Sequence, residues 1–79
     1  KIFGTGTIDE YGNVGSIGGV SYKIKAAVKE KASIFFVPAD NYEEAKETVD
    51  NNKYNIKLVK VNNISEAIEY LKNYSNSGN

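Results

Sequence analysis

Ser33-Ile34-Phe35-Phe36-Val37-Pro38 is an unbroken apolar run closed by a proline, with stretches of helical periodicity on either side. A strand with one face in water alternates apolar and polar residues, whereas a strand covered on both faces is apolar throughout. The run therefore predicts the central strand of a small sheet with helices layered against it.

Upstream, Val20, Ile24, Ala27 and Val28 recur at i, i+4, i+7 and i+8, which predicts a helix from Val20 to Lys31 with one buried stripe. Gly18 and Gly19 let the backbone turn sharply into it. Before the glycines, Ile2 to Asp9 alternates loosely and runs into Glu10-Tyr11-Gly12-Asn13, a turn followed by a return strand from Val14 to Ile17. Together these segments predict a hairpin. Downstream, Asp40 followed by Glu43 reads as a capping box opening a helix that carries Tyr42, Ala45 and Val49 on one face and ends by Asn51-Asn52. Ile56 to Val61 is the next strand. Asn63 with Glu66 caps a third helix that directs Ile64, Ala67, Ile68 and Leu71 inward. Tyr74 to Asn79 reads as a frayed tail. The expected fold is α/β (α+β), in the order β-β-α-β-α-β-α, with residues 1–79 forming one domain or part of one.

The composition removes several chemistries. With 79 residues the chain can build only one small core. It contains no Cys, His, Met or Trp, which excludes disulfides, thiolate nucleophiles, His-based triads and the usual transition-metal sites. No cofactor is implied. Ten lysines and no arginine balance ten acidic residues, and the lysines are scattered rather than gathered in a patch, so nucleic acid is not an expected partner. No stretch is long and apolar enough to span a bilayer or to act as a signal peptide, and the compartment stays unassigned. A start at Lys1-Ile2-Phe3-Gly4 without Met reads as the middle of a longer chain.

Lys23 is the residue most open to a chemical role. At about 100° per residue it lies roughly 80° from the centre of the first helix's apolar stripe, while Lys25 and Lys29 point further toward water. Half-buried near a helix N-terminus, a lysine loses hydration and meets the positive end of the helix dipole, which disfavours its ammonium form and suits it to act as a general base. Two other readings stand beside this one. Lys23 can snorkel, with its stem on the core and its amine in water. Alternatively, the Gly18-Gly19 turn and Lys23 can cradle an anion, although the segment lacks both the ending of a P-loop and the spacing of a dinucleotide fingerprint.

Taken together, Thr5-Gly6-Thr7-Ile8, the hairpin glycine Gly12, Ile17-Gly18-Gly19-Val20, Lys23, Ala26-Ala27 and Ile34-Phe35-Phe36-Val37-Pro38 resemble the C-terminal part of a Lon-type Ser/Lys protease domain. The likeness runs without a gap from Thr5 to Lys23 and extends more loosely to the segment from Ala67 to Leu71. Its flavour is that of the PDZ-linked, membrane-tethered branch. The resemblance implies a serine endopeptidase acting through an acyl-enzyme. In it Lys23 serves as the general base and the Thr5 hydroxyl orients the lysine amine. It further implies a protein or peptide substrate and a homo-oligomeric ring.

The nucleophilic serine of that family lies before the Thr-Gly strand, in a segment that would precede Lys1 and would belong to the N-terminal half of the same domain. The serines present have plainer roles. Ser16 stands in a loop, Ser21 and Ser65 in first helical turns, Ser33 at a strand start, and Ser75 and Ser77 in the tail. Asp9, Glu10 and Asp40 read as turn and cap residues. The chain is thus expected to be the base-bearing half of a protease, inactive alone. The alternative is a non-catalytic interaction or regulatory module.

Overall fold

The computed structural model describes residues 2–77. Three parallel strands, β1 (Ile2–Gly4), β4 (Ile34–Pro38) and β5 (Lys57–Val61), form a sheet in the order β1-β4-β5. The apolar run is the central strand, and all five of its residues are buried. Ile2 pairs with Ile34 on one side, and Ile34 with Lys57 on the other. The hairpin is a separate two-stranded unit of β2 (Thr7–Ile8) and β3 (Val14–Gly15), with Thr7 opposite Gly15.

The strand expected over Ile2 to Asp9 is therefore two strands belonging to different sheets. Gly6 makes the break. Its φ of 144° is one that residues with a side chain rarely adopt, and a Cβ there would stand 2.8 Å from Val14 Cγ1 and 3.2 Å from Pro38 Cγ.

Helices α1 (Val20–Lys29) and α2 (Tyr42–Asn52) are the crossovers from β1 to β4 and from β4 to β5. Both steps move across the sheet in the same direction, so crossovers of one hand place both helices on one face. There Val20, Ile24 and Ala27 of α1, Ala45 of α2 and Phe35 and Val37 of β4 form a buried cluster with Ala32 and Ile56. Helix α3 (Ile64–Ser77) lies on the other face, where Ala67 meets Ile34, Phe36 and Val61. It continues to Ser77, past the Tyr74 at which fraying is expected. Tyr74 stacks on Tyr70 one turn earlier, with centroids 6.4 Å apart. Gly78 and Asn79 lie outside the described residues.

Of the two expected capping boxes, one forms. The Asn63 carboxamide oxygen accepts the Ser65 N–H at 2.9 Å, and Glu66 Oε1 accepts the Asn63 N–H at 2.8 Å. The Asp40/Glu43 box does not form. Asp40 lies in a 3-10 turn over Ala39–Asn41, and α2 starts after Asn41 without a side-chain cap. The inward direction expected for the third helix is also corrected. Only Ala67 of its expected inward set is buried: Ile68 is more than half exposed, and Leu71 and Ile64, the latter beside the hairpin at Gly12, are partly exposed.

Helices α1 and α2 end alike. Ala32 N–H bonds back to Ala27 O and Lys31 N–H to Val28 O, while Tyr54 N–H bonds to Val49 O and Lys53 N–H to Asp50 O. The motif calls for a left-handed residue, supplied here by Lys31 and Lys53 at φ 63° and 55°.

Candidate functional site

The open ends of parallel strands, where their carboxyl termini emerge, are where α/β sheets gather functional groups. At that end of this sheet stand Gly4 leading into Thr5, Pro38 leading into the 3-10 turn, and Val61 leading into α3. Thr5 is half-buried, and its N–H extends the β1-β4 pairing by donating to Phe36 O at 3.2 Å. It lines a cleft of about 210 Å³ together with Gly4, Gly6, Ile8, Val14, Phe36, Val61, Ile64 and Ala67. The cleft is mostly apolar.

The hairpin is fastened across this end by its backbone. Val14 N–H donates to Asn62 O and Ile64 N–H to Gly12 O, both at 2.8 Å, and the Asn63 carboxamide donates to Tyr11 O. Its turn is organised by Asp9, the turn residue expected from sequence. The Asp9 carboxylate accepts the N–H groups of Tyr11 and Asn13 and the Asn13 side-chain amide. The bond from the Asn13 backbone N–H is the largest influence holding the Asp9 carboxyl below its ordinary range; desolvation, the next largest, opposes it, and the Asn13 side chain and the Tyr11 and Gly12 amides outweigh that opposition.

Lys23 occupies the first turn of α1, and its N–H donates to Gly19 O at 3.2 Å. The expected half-burial is not found, because the side chain is exposed. The reason is the placement of α2. Measured from Val20 at about 100° per residue, Ser21 lies about 100° to one side and Lys23 roughly 60° to the other. Helix α2 packs on the Ser21 side, where Ser21 Oγ and Thr48 Oγ1 share a hydrogen bond of 2.8 Å. Lys23 is left on the flank away from α2, toward β1, which among the described residues pairs on one side only. Its ammonium has no ion-pair or hydrogen-bond partner among those residues.

Lys23 and Thr5 are thus brought to the same end of the sheet and toward the same open edge, from an overlying helix and from the strand exit respectively. No hydrogen bond joins them within the described residues. The glycines before Lys23 have a backbone role: Gly19 ends the loop in the left-handed region at φ 68°, and a Cβ at Gly18 or Gly19 would meet nothing within 4 Å.

Asn41 escapes a reading of the sequence alone. It is 6% exposed, and its carboxamide makes two bonds to one residue, accepting Ile17 N–H at 2.9 Å and donating to Ile17 O at 3.0 Å. In the sequence it is one more polar residue ahead of a helix, indistinguishable from a cap. Its partner lies 24 positions away.

The chain belongs to the Lon protease (S16) C-terminal proteolytic domain family, whose model matches residues 1–73. It is similar to the Lon proteases of Rickettsia typhi and Rickettsia prowazekii, with 32% identity to each over 66 residues, or 84% of this chain. It spans 8% of the length of each of those relatives. No solved structure matches it.

Proposed function

We propose that the chain is the base-bearing part of a serine endopeptidase that cleaves protein substrates with a Ser/Lys dyad. The observation that carries this reading is the placement of Lys23 and Thr5 at one end and one open edge of the parallel sheet, with the lysine amine unpartnered among the described residues. Membership of a protease-domain family supports it. Lys23 in its neutral form takes the proton from a serine hydroxyl. The serine oxygen attacks the scissile carbonyl carbon, and the resulting lysine ammonium returns the proton to the leaving amine as the peptide C–N bond breaks. Water then hydrolyses the acyl-serine ester by the same route. Thr5 orients the amine through its hydroxyl.

The nucleophile comes from a segment of the parent protein outside these 79 residues. Ser21, the serine nearest Lys23 in sequence, is bonded to Thr48 across the α1-α2 contact. A segment lying against the open β1 edge would supply both the serine and the burial that Lys23 lacks here. The isolated chain is accordingly inactive.

In the parent protein, Lys23→Ala and Lys23→Arg are expected to abolish peptide cleavage while leaving the circular-dichroism melt unchanged. Thr5→Val is expected to lower kcat less severely, by about ten- to a hundredfold for a lost orienting contact. Retained cleavage by Lys23→Ala would remove Lys23 from the dyad.

A further inference from the structure

Helix α1 begins without a side-chain cap. Gly18 and Gly19 have open space where a Cβ would stand, and Gly19 caps the helix without a side-chain hydrogen bond. Gly19 takes the left-handed conformation that opens the helix, and its carbonyl accepts the Lys23 N–H at 3.2 Å, so this two-glycine link carries the course of the chain from Ile17 into the first turn of α1. Lys23, four residues beyond Gly19, takes its place from how that link enters the helix.

The residue ahead of this link is fixed with unusual completeness. Both polar groups of the Ile17 backbone are taken by the Asn41 carboxamide, its oxygen on Ile17 N–H and its nitrogen on Ile17 O. The pairing resembles that of two strand residues exchanging both their bonds, and it sets the orientation of Ile17 as well as its distance. A primary amide is the side-chain group that offers a donor and an acceptor side by side. Burial makes the demand strict, because an unpaired amide or peptide group in such a place is costly. Asn41 itself is anchored in the hinge between the 3-10 turn that follows β4 and the start of α2. Through it, the loop that launches α1 is fastened to the exit of the central strand, the most deeply buried element of the sheet.

We propose that Asn41 is a positioning residue for Lys23, and that its bidentate hold on Ile17 sets where α1 starts and therefore where the base stands. This proposal rests on the reading of Lys23 as the base. Asn41 touches no reacting atom, and its effect passes through Ile17 and the Gly18-Gly19 link, whose second carbonyl is bonded to the Lys23 N–H. Displacing a catalytic group by about 1 Å can lower turnover about a hundredfold, whereas the surfaces that bind substrate elsewhere are untouched. The signature is consequently a loss in kcat at nearly constant KM.

The test uses the parent protein, with steady-state cleavage of a fluorogenic peptide measured for four variants below their melting temperatures. Asn41→Ala is expected to lower kcat by about ten- to a hundredfold with KM within about twofold of wild type. Val49→Ala, a truncation in α2 away from the loop, serves as a destabilised control and is expected to retain kcat at temperatures where it is folded. Asn41→Asp keeps the acceptor for Ile17 N–H and loses the donation to Ile17 O, so a fall in kcat at constant KM is expected there too, even if Asn41→Ala does not fold. Unchanged kcat in Asn41→Asp, or a loss no greater than that of Val49→Ala, overturns the proposal. Lys23→Ala separates the two levels. Full activity in that variant defeats the base assignment itself, whereas an inactive Lys23→Ala beside fully active Asn41 variants defeats only the role of Asn41.

Discussion

The two faces of the three-stranded sheet are built to different standards. On the face of α1 and α2, Val20, Ile24, Ala27, Val37 and Ala45 are completely shielded from solvent and Phe35 nearly so. On the face of α3, Ile34, Phe36, Val61 and Ala67 are buried, but they are ringed by Ile8 and Ile68, each more than half exposed, and by the partly exposed Ile64 and Leu71. Topology explains the contrast. Two successive crossovers in one direction put two helices on the first face, leaving one helix and a short hairpin for the second. The first face is a finished core, while the second and the bare β1 edge are the surfaces on which further chain could pack.

Truncating one apolar residue on each side tests the contrast between the faces. Phe35→Ala is expected to destabilise the chain by about 3–5 kcal/mol, enough to unfold a domain of this size, while Ile68→Ala should change stability by no more than about 0.5 kcal/mol. Urea melts followed by circular dichroism measure both. A loss at Ile68 approaching that at Phe35 would show that the second face is as closed as the first.

A smaller effect is expected at the junction where the hairpin meets the sheet. Gly6→Ala places a Cβ against Val14 and Pro38 at a backbone angle unsuited to it, with an expected loss of roughly 1–3 kcal/mol. Gly18→Ala, where nothing stands within 4 Å, is the matched control and is expected to be close to neutral in the thermal melt. Equal losses at the two positions would mean that the hairpin is not wedged against the end of the central strand.

The smallest effect concerns acid. The folded-state pKa of Asp9 is lowered from 3.8, so the stabilisation it gives the hairpin turn is fully present above that value and is lost as pH falls through the folded one. The Tyr11 and Asn13 amide resonances are expected to move together below about pH 3.8 and to lose that dependence in Asp9→Asn. Persistence of the same titration in Asp9→Asn would assign it to another carboxylate. At a fixed pH the Asp9→Asn substitution itself should leave the resonances of α1 and α2 unmoved, which keeps the effect on the hairpin's side of the molecule.

Much of this architecture could be read from local pattern. The unbroken Ile34-Phe35-Phe36-Val37 run is legible as a central strand because burial on both faces leaves no polar position. The Asn63/Glu66 box is legible because both partners lie within one turn. The Asp40/Glu43 pair has the same spacing and forms no cap, since a 3-10 turn intervenes and the chain starts α2 one residue later. Ile64, Ile68 and Leu71 have the right period for an inward stripe, yet periodicity states which residues share a face and not whether anything lies opposite. The same limit applies to Lys23: its angle on the helix was readable, but its exposure depended on which flank α2 would occupy.

What the sequence by itself determined was local: which segments are helix or strand, where the turns fall, and that Thr5, the glycine loop and Lys23 follow one another in an order shared with a protease-domain family. These properties depend on neighbours within a few residues, where propensity, capping and periodicity act. The closing of the whole core decided that both crossover helices share one face, that Asn41 grips Ile17 across 24 positions, and that Lys23 is exposed on the flank of α1 away from α2. Each depends on groups far apart in the chain, whose proximity is selected only when the whole core closes and every buried polar group must find a partner.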